Sequence, residues 1–183
     1  EDQASIDGRA MAIRDGKVYF YVPDKYLRAA DARTGDVLWT NDQRQTLSLI
    51  EQPGRGLTST PGFRSGCLAV ATPQALIVQG QTRMNVVAVS TSDGKQLWTK
   101  TKVTNNPNAI YVDDKVILGV GPGGNHVALD PTSGDVVEDL GFRKRACTRL
   151  TACSDSFFVR GEGTLRYDRD AKKVMIDGAA RPA

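Results

Sequence analysis

The chain has 183 residues, 25% of them charged and 40% from the hydrophobic set, an ordinary globular composition with enough length for one good core or two small ones. A net charge of +3 is too small to argue for nucleic acid or an anionic membrane surface, and no apolar run approaches the roughly 18 residues of a spanning helix. Eighteen glycines and eight prolines fit many tight turns rather than long helices.

The opening Glu1-Asp-Gln-Ala-Ser-Ile has no basic-then-apolar segment, so an export signal is expected to have been removed or never to have existed. Four short strands follow, Ala10–Arg14, Lys17–Val22, Tyr26–Asp31 and Asp36–Thr40. The last two are joined by Asp31-Ala-Arg-Thr-Gly35, where Asp31 can cap its own backbone and Gly35 can supply a positive φ. Trp39 stands on the outgoing strand. Residues 41–66, polar and punctuated by Pro53-Gly54, Gly56 and Pro61-Gly62, read as an elaborated loop.

The hairpin then recurs. Ser90-Thr-Ser-Asp-Gly94 leads to Leu97-Trp98, Asp130-Pro-Thr-Ser-Gly134 leads to Val136-Val137, and Asp168-Arg-Asp-Ala-Lys172 leads to Val174-Met-Ile176. The turns start 59, 40 and 38 residues apart, near the period of a four-stranded propeller blade once the inserted loop is allowed for. Four units are read, at about 10–40, 67–100, 109–140 and 147–177. Asp15-Gly16, Asp113-Asp114 and Ser154-Asp155 suit the first hairpin of their units. No sustained 3.6-residue apolar stripe is present, so almost no helix is expected.

The segments Asp31–Trp39, Ser90–Trp98 and Ala128–Val136 resemble the pyrroloquinoline-quinone-type (PQQ-like) β-propeller repeat, approximately Leu-Tyr-Ala-Leu-Asp-Ala-x-Thr-Gly-x-x-x-Trp. The resemblance implies an all-β propeller of four-stranded antiparallel blades, four of them here, half of an eight-bladed ring. Asp31, Gly35, Trp39, Gly94, Trp98, Asp130, Gly134 and Asp168 are then residues of the repeat rather than of one site. The third unit has Glu138 in place of the tryptophan, and the fourth lacks both glycine and tryptophan, departures expected to weaken the docking between blades. An open half-ring would expose two unpacked blade faces, so the remaining blades, in the same or a second chain, are expected as partners.

Residues that carry chemistry are scarce. Relatives that use quinone bind it on the ring axis with calcium, a stacking tryptophan and a vicinal disulfide; no adjacent Cys-Cys pair occurs here, and both tryptophans lie in the repeat motif. PQQ and calcium are therefore not expected in this chain alone. The single His126 offers neither a Ser-His-Asp relay nor a histidine metal cluster, and Gly121-Pro-Gly-Gly124 reads as a turn. Asp113-Asp114 reads as a turn, with loop calcium as the alternative. Arg143-Lys-Arg145 with Arg149 is a basic cluster, solvated or facing an acidic partner. Of three cysteines, none in CxxC spacing, Cys67 and Cys147 each open a first strand and are candidates for lining the axial channel; Cys153 falls at a turn, and Arg181-Pro-Ala183 resembles the lead to another such strand.

These features favour a non-catalytic binding or scaffolding module, and the resemblance implies a periplasmic or otherwise extracytoplasmic location. One alternative is a fragment of a PQQ-dependent dehydrogenase or electron-transfer quinoprotein whose active residues lie outside the chain. Another is an outer-membrane assembly lipoprotein of propeller type.

Overall fold

The structure, a computed structural model, describes residues 10–22, 25–50, 68–79, 85–101, 103, 109–119, 124–145, 149–161 and 163–177. Their strands form four antiparallel sheets of four, each in sequence order. The first contains Met11–Arg14 (β1), Lys17–Val22 (β2), Tyr26–Asp31 (β3) and Val37–Asn41 (β4). The second contains Leu68–Ala71 (β5), Ala75–Gln79 (β6), Val86–Ser90 (β7) and Gln96–Lys100 (β8). Ala109–Val112 (β9), Lys115–Gly119 (β10), His126–Leu129 (β11) and Val136–Asp139 (β12) make the third, and Thr151–Ala152 (β13), Ser156–Arg160 (β14), Thr164–Asp168 (β15) and Lys173–Asp177 (β16) the fourth. The chain is an all-β propeller segment of four blades.

Turn chemistry sets these meanders. Asp15 and Gly16, and likewise Asp113 and Asp114, hold φ of +49°, +70°, +49° and +56°, the left-handed pair that a two-residue hairpin needs. At the β3–β4 turn the Gly35 amide donates to the Asp31 carbonyl at 2.9 Å, and the Asp31 side chain accepts from the amides of Arg33 and Thr34 at 2.8 and 2.9 Å. A register shift then follows in each of the first three blades, so Trp39 pairs with Ala29, Trp98 with Ala88 and Glu138 with Ala128. The fourth blade has no such shift: Met175 pairs with Arg166, and Ile176 with Leu165.

Three apolar layers lie between successive sheets. The first joins Tyr19, Leu27 and Trp39 to Leu76, Val78 and Val87; the second joins Ile77 and Trp98 to Val116 and Leu118; the third joins Ile117 and Ala128 to Phe157 and Tyr167. The first strands β1, β5, β9 and β13 neighbour one another in turn, which puts them on the inside of the arc.

Among the described residues there is one helix, within the expectation of almost none. Arg44–Ile50 (α1) begins the stretch read as a loop, and it buries Thr46, Leu47 and Ile50 against the first layer. Asn41 Oδ1 accepts from the Gln43 amide at 3.0 Å, and Asn85 Nδ2 caps the far end by donating to the Leu49 carbonyl at 2.9 Å. Seven residues are too few to show a periodic stripe in sequence; burial and these two asparagines hold the turn.

Candidate functional site

The clefts between blades are built on one pattern with one exception. Trp39 lies on the next blade's turn, where a Cβ on Gly94 would come within 2.5 Å of the indole. Its Nε1 donates to the Thr91 carbonyl at 3.0 Å, while Asn41 Nδ2 donates to the Gly94 carbonyl at 2.7 Å. Trp98 repeats the arrangement on Gly134, with a would-be Cβ at 2.7 Å and Nε1 donating to the Pro131 carbonyl at 2.9 Å. Glycine is needed at both turns twice over. The backbone sits at φ +72° and +74°, and the indole occupies the place of a side chain.

Between the third and fourth blades both partners change together. Glu138 stands at the tryptophan position and Lys172 at the glycine position, where Lys172 keeps a left-handed φ of +48°. Lys172 Nζ donates to Glu138 Oε1 at 2.7 Å, and Lys115 Nζ lies 3.5 Å from Glu138 Oε2. The departures read in sequence as weakened docking thus form a single replacement contact, an ion pair in place of an indole stacked on glycine. A carboxylate fills less space than an indole, and a cleft of about 170 Å³ is left. Ile117, Ala128, Leu140 and Phe157 line it as an apolar floor. At its rim Arg169 pairs with Asp113, and the Arg169 guanidinium stands 5.1 Å over the Phe157 ring. The ammonium of Lys172 holds the Glu138 carboxyl below its usual range, and Glu138 in turn raises Lys172. Burial, then the Glu138 charge, raises the Tyr167 phenol at the same cleft.

Glu138, Lys172, Lys115 and Arg169 are the functional candidates that sequence reading missed. Their signal was present: Glu138 and Lys172 depart from the repeat at two positions that touch across neighbouring blades.

The other candidates stay apart. Asp31, Asp130 and Asp168 each cap their own turn, Asp130 through the amides of Thr132 and Ser133 at 2.8 Å and Asp168 through that of Ala171 at 2.8 Å. Hydrogen bonds from Thr34 and Arg33 lower the Asp31 carboxyl, and those from Thr132 and Ser133 lower Asp130. Cys67 and Cys147 lie outside the described residues, as do residues 121–123. Cys153 is an exposed free thiol, 3.1 Å from Asp155 Oδ1. Arg143, Arg145 and Arg149 are exposed. His126 is fully buried on β11, stacked on Phe142 at 4.5 Å with Nδ1 3.2 Å from the Phe142 carbonyl, and burial lowers its pKa to about 4. On the inner strands, Arg14 of the first blade reaches the Tyr111 ring of the third at 5.0 Å, and the Tyr111 hydroxyl donates to Asp114 Oδ1 at 2.8 Å. Both indoles are committed to turn glycines, and no group of three His, Cys, Asp or Glu could hold a metal among the described residues. The described residues therefore do not fit a quinone-and-calcium site.

Comparisons agree with this architecture. The family described as outer membrane protein assembly factor BamB matches residues 3–107 and 77–165. BamB from Moraxella catarrhalis superposes with a TM-score of 0.64 at 16% identity over 91% of this chain and 48% of its own, so the chain spans about half its length. The Neurospora crassa Pan2 WD40 domain gives 0.60 at 11% identity over 92% of this chain and 50% of that one. Quinohemoprotein alcohol dehydrogenase from Comamonas testosteroni gives 0.57 at 15% identity over 91% and 34%. At these identities the likeness is one of fold. No curated protein matches. With four four-stranded blades, two of them docked on the next by an indole on a turn glycine, and a family match across most of its length, the chain belongs to the PQQ-like β-propeller repeat family described as outer membrane protein assembly factor BamB.

Proposed function

We propose that the chain is a non-catalytic binding or scaffolding module that works outside the cytoplasm as part of a ring larger than four blades. The cleft between the third and fourth blades carries the reading. Where its two sisters are filled by indole, it leaves about 170 Å³ above an apolar floor, room for a side chain or small group of a partner. Glu138 is committed to Lys172 and Lys115, and Arg169 to Asp113. Groups so paired present fixed charges at the rim of the cleft. The family's description, an outer membrane assembly factor, supports the extracytoplasmic part.

The test is a melting curve and absorbance spectrum of the purified chain with PQQ and calcium added. The module reading expects neither a shift in Tm nor a saturable change in absorbance. A saturable change in both would favour a quinoprotein dehydrogenase segment, which at present rests on likeness of fold alone.

A further inference from the structure

We propose that the first blade is a socket for a tryptophan supplied by a preceding blade whose sequence lies outside these 183 residues. Gly94 is covered by Trp39 and Gly134 by Trp98. Gly35 occupies the same turn position with the same left-handed φ, +79°, yet among the described residues nothing lies within 4 Å of where its Cβ would be. Ala32 stands where Thr91 and Pro131 provide the carbonyls that accept the two indole N–H groups. The turn is therefore made for an indole and lacks one.

The sheet face beside it agrees. Val18 and Phe20 are only half-buried, whereas Leu76 and Val78, at the same register in the second blade, and Val116 and Leu118 in the third are fully buried. Met11 and Ile13 extend the open face, 41% and 73% exposed. It repeats the surface that the second and third blades present to their upstream neighbours. Its one departure is Arg28, at the position of Val87 and Val127, donating to Thr40 Oγ1 at 3.1 Å and lying 4.0 Å over the Tyr26 ring. The mating sheet must meet a guanidinium, which suits an aromatic face or a carboxylate.

The indole cannot come from this sequence. Its only two tryptophans are both docked. A second copy docked head to tail would bring its fourth blade, which has Ile176 at the tryptophan position and no register shift after its turn. That blade also presents Arg166, held by Ser156 at 2.8 Å and Asp168 at 3.5 Å, where the first two blades have the alanines paired with their indoles. Head-to-tail docking would turn Arg166 toward Arg28. The occupant is instead a four-stranded blade of this repeat type from the same polypeptide, with tryptophan four residues after its turn glycine.

This inference rests on reading the chain as a segment of a larger ring, and its test is independent of the cofactor titration. Residues 68–108, the second blade with its outgoing link, are fused through a flexible linker to the N-terminus of the full chain. Controls carry tryptophan to alanine in the added copy, and Arg28→Val in the recipient. Acrylamide quenching is compared between the fusion and its alanine control, alongside Tm. The expected result is an added indole protected like Trp98 and a Tm several degrees above the control, in the parent fusion or with Arg28→Val. An added indole quenched as freely as in denaturant, with Tm equal to the control in both backgrounds, would overturn the proposal. So would sedimentation of the unfused chain as a discrete dimer, since a second copy would then be the occupant.

Discussion

At the scale of the residue, the same glycine substitution is expected to have different consequences at different turns. Gly35→Ala forces a side chain into a left-handed backbone that has open space around it, a strain of about 1–2 kcal/mol. Gly134→Ala adds to that strain a collision with Trp98 at 2.7 Å, where overpacking typically costs about 1–3 kcal/mol more. Urea titration of the two variants should therefore show the larger loss at Gly134; equal losses would mean that the indole yields freely. His126 makes a second residue-scale prediction. Burial depresses its folded pKa to about 4 from the ordinary 6.5, so the unfolded chain binds the proton more readily. Stability from this group is then full above pH 6.5 and falls as pH drops toward 4, by up to about 3 kcal/mol. Asp31 and Asp130 have depressed carboxyls, and their contribution is lost only at lower pH, through and below the ordinary range of aspartate. Denaturant midpoints measured from pH 7 to pH 4 should decline in the wild type. The decline should flatten in His126→Phe, which keeps a ring beside Phe142 but binds no proton.

At the scale of the element, the blade is a hairpin pair whose outgoing strand grips its neighbour, and the grip has two chemistries. The register shift after the turn is present in the third blade as in the first two, so Glu138 points to the same cleft that Trp39 and Trp98 fill in theirs. Lys172, by contrast, carries a Cβ where an indole would have to lie. Glu138→Trp alone should destabilise, because the indole meets Lys172 as Trp98 would meet an alanine at Gly134. Lys172→Gly alone loses the ion pair. The double substitution should restore the indole on glycine and fill the cleft of about 170 Å³. A double-mutant cycle followed by thermal unfolding is expected to give a favourable coupling of about 1–3 kcal/mol. Additive losses would show that the fourth blade cannot adopt the docked arrangement. This pair also marks the limit of what the sequence disclosed. The repeat was legible because turn glycine and strand tryptophan recur at fixed spacing, and strands follow from such turns. That two departures, 34 residues apart, compensate one another becomes visible only when adjacent blades are superposed. Helix α1 was missed for a different reason: its apolar residues Leu47 and Ile50 span a single turn, and tertiary burial rather than local pattern makes it helical.

At the scale of the whole molecule, stability is a sum over neighbouring blades, as in any stack in which each unit touches only the next. Three layers are packed, the third around its cleft, and the described residues leave the upstream face of the first blade partly exposed. The same repeat position should therefore carry different weight along the chain. Leu118 and Phe20 occupy one register, each a second-strand residue on the upstream face of its blade. Leu118 is fully buried against the second blade, and Leu118→Ala should cost about 2–5 kcal/mol, the transfer of the side chain plus the cavity it leaves. Phe20 is larger, but it is half-buried and its ring contact is with Tyr26 of its own sheet at 6.3 Å. Ile13→Lys, at 73% exposure, should change stability by no more than about 0.5 kcal/mol while reducing aggregation. Guanidinium titrations of Leu118→Ala, Phe20→Ala and Ile13→Lys should rank in that order, despite phenylalanine being the largest group removed. If a preceding blade is then supplied, the ranking should compress, because the exposed face becomes a fourth packed layer and Phe20 acquires the environment that Leu118 already has. A Phe20→Ala loss as large as that of Leu118→Ala in the unfused chain would mean that this face is already covered, and the stack would have to be counted as closed on its upstream side.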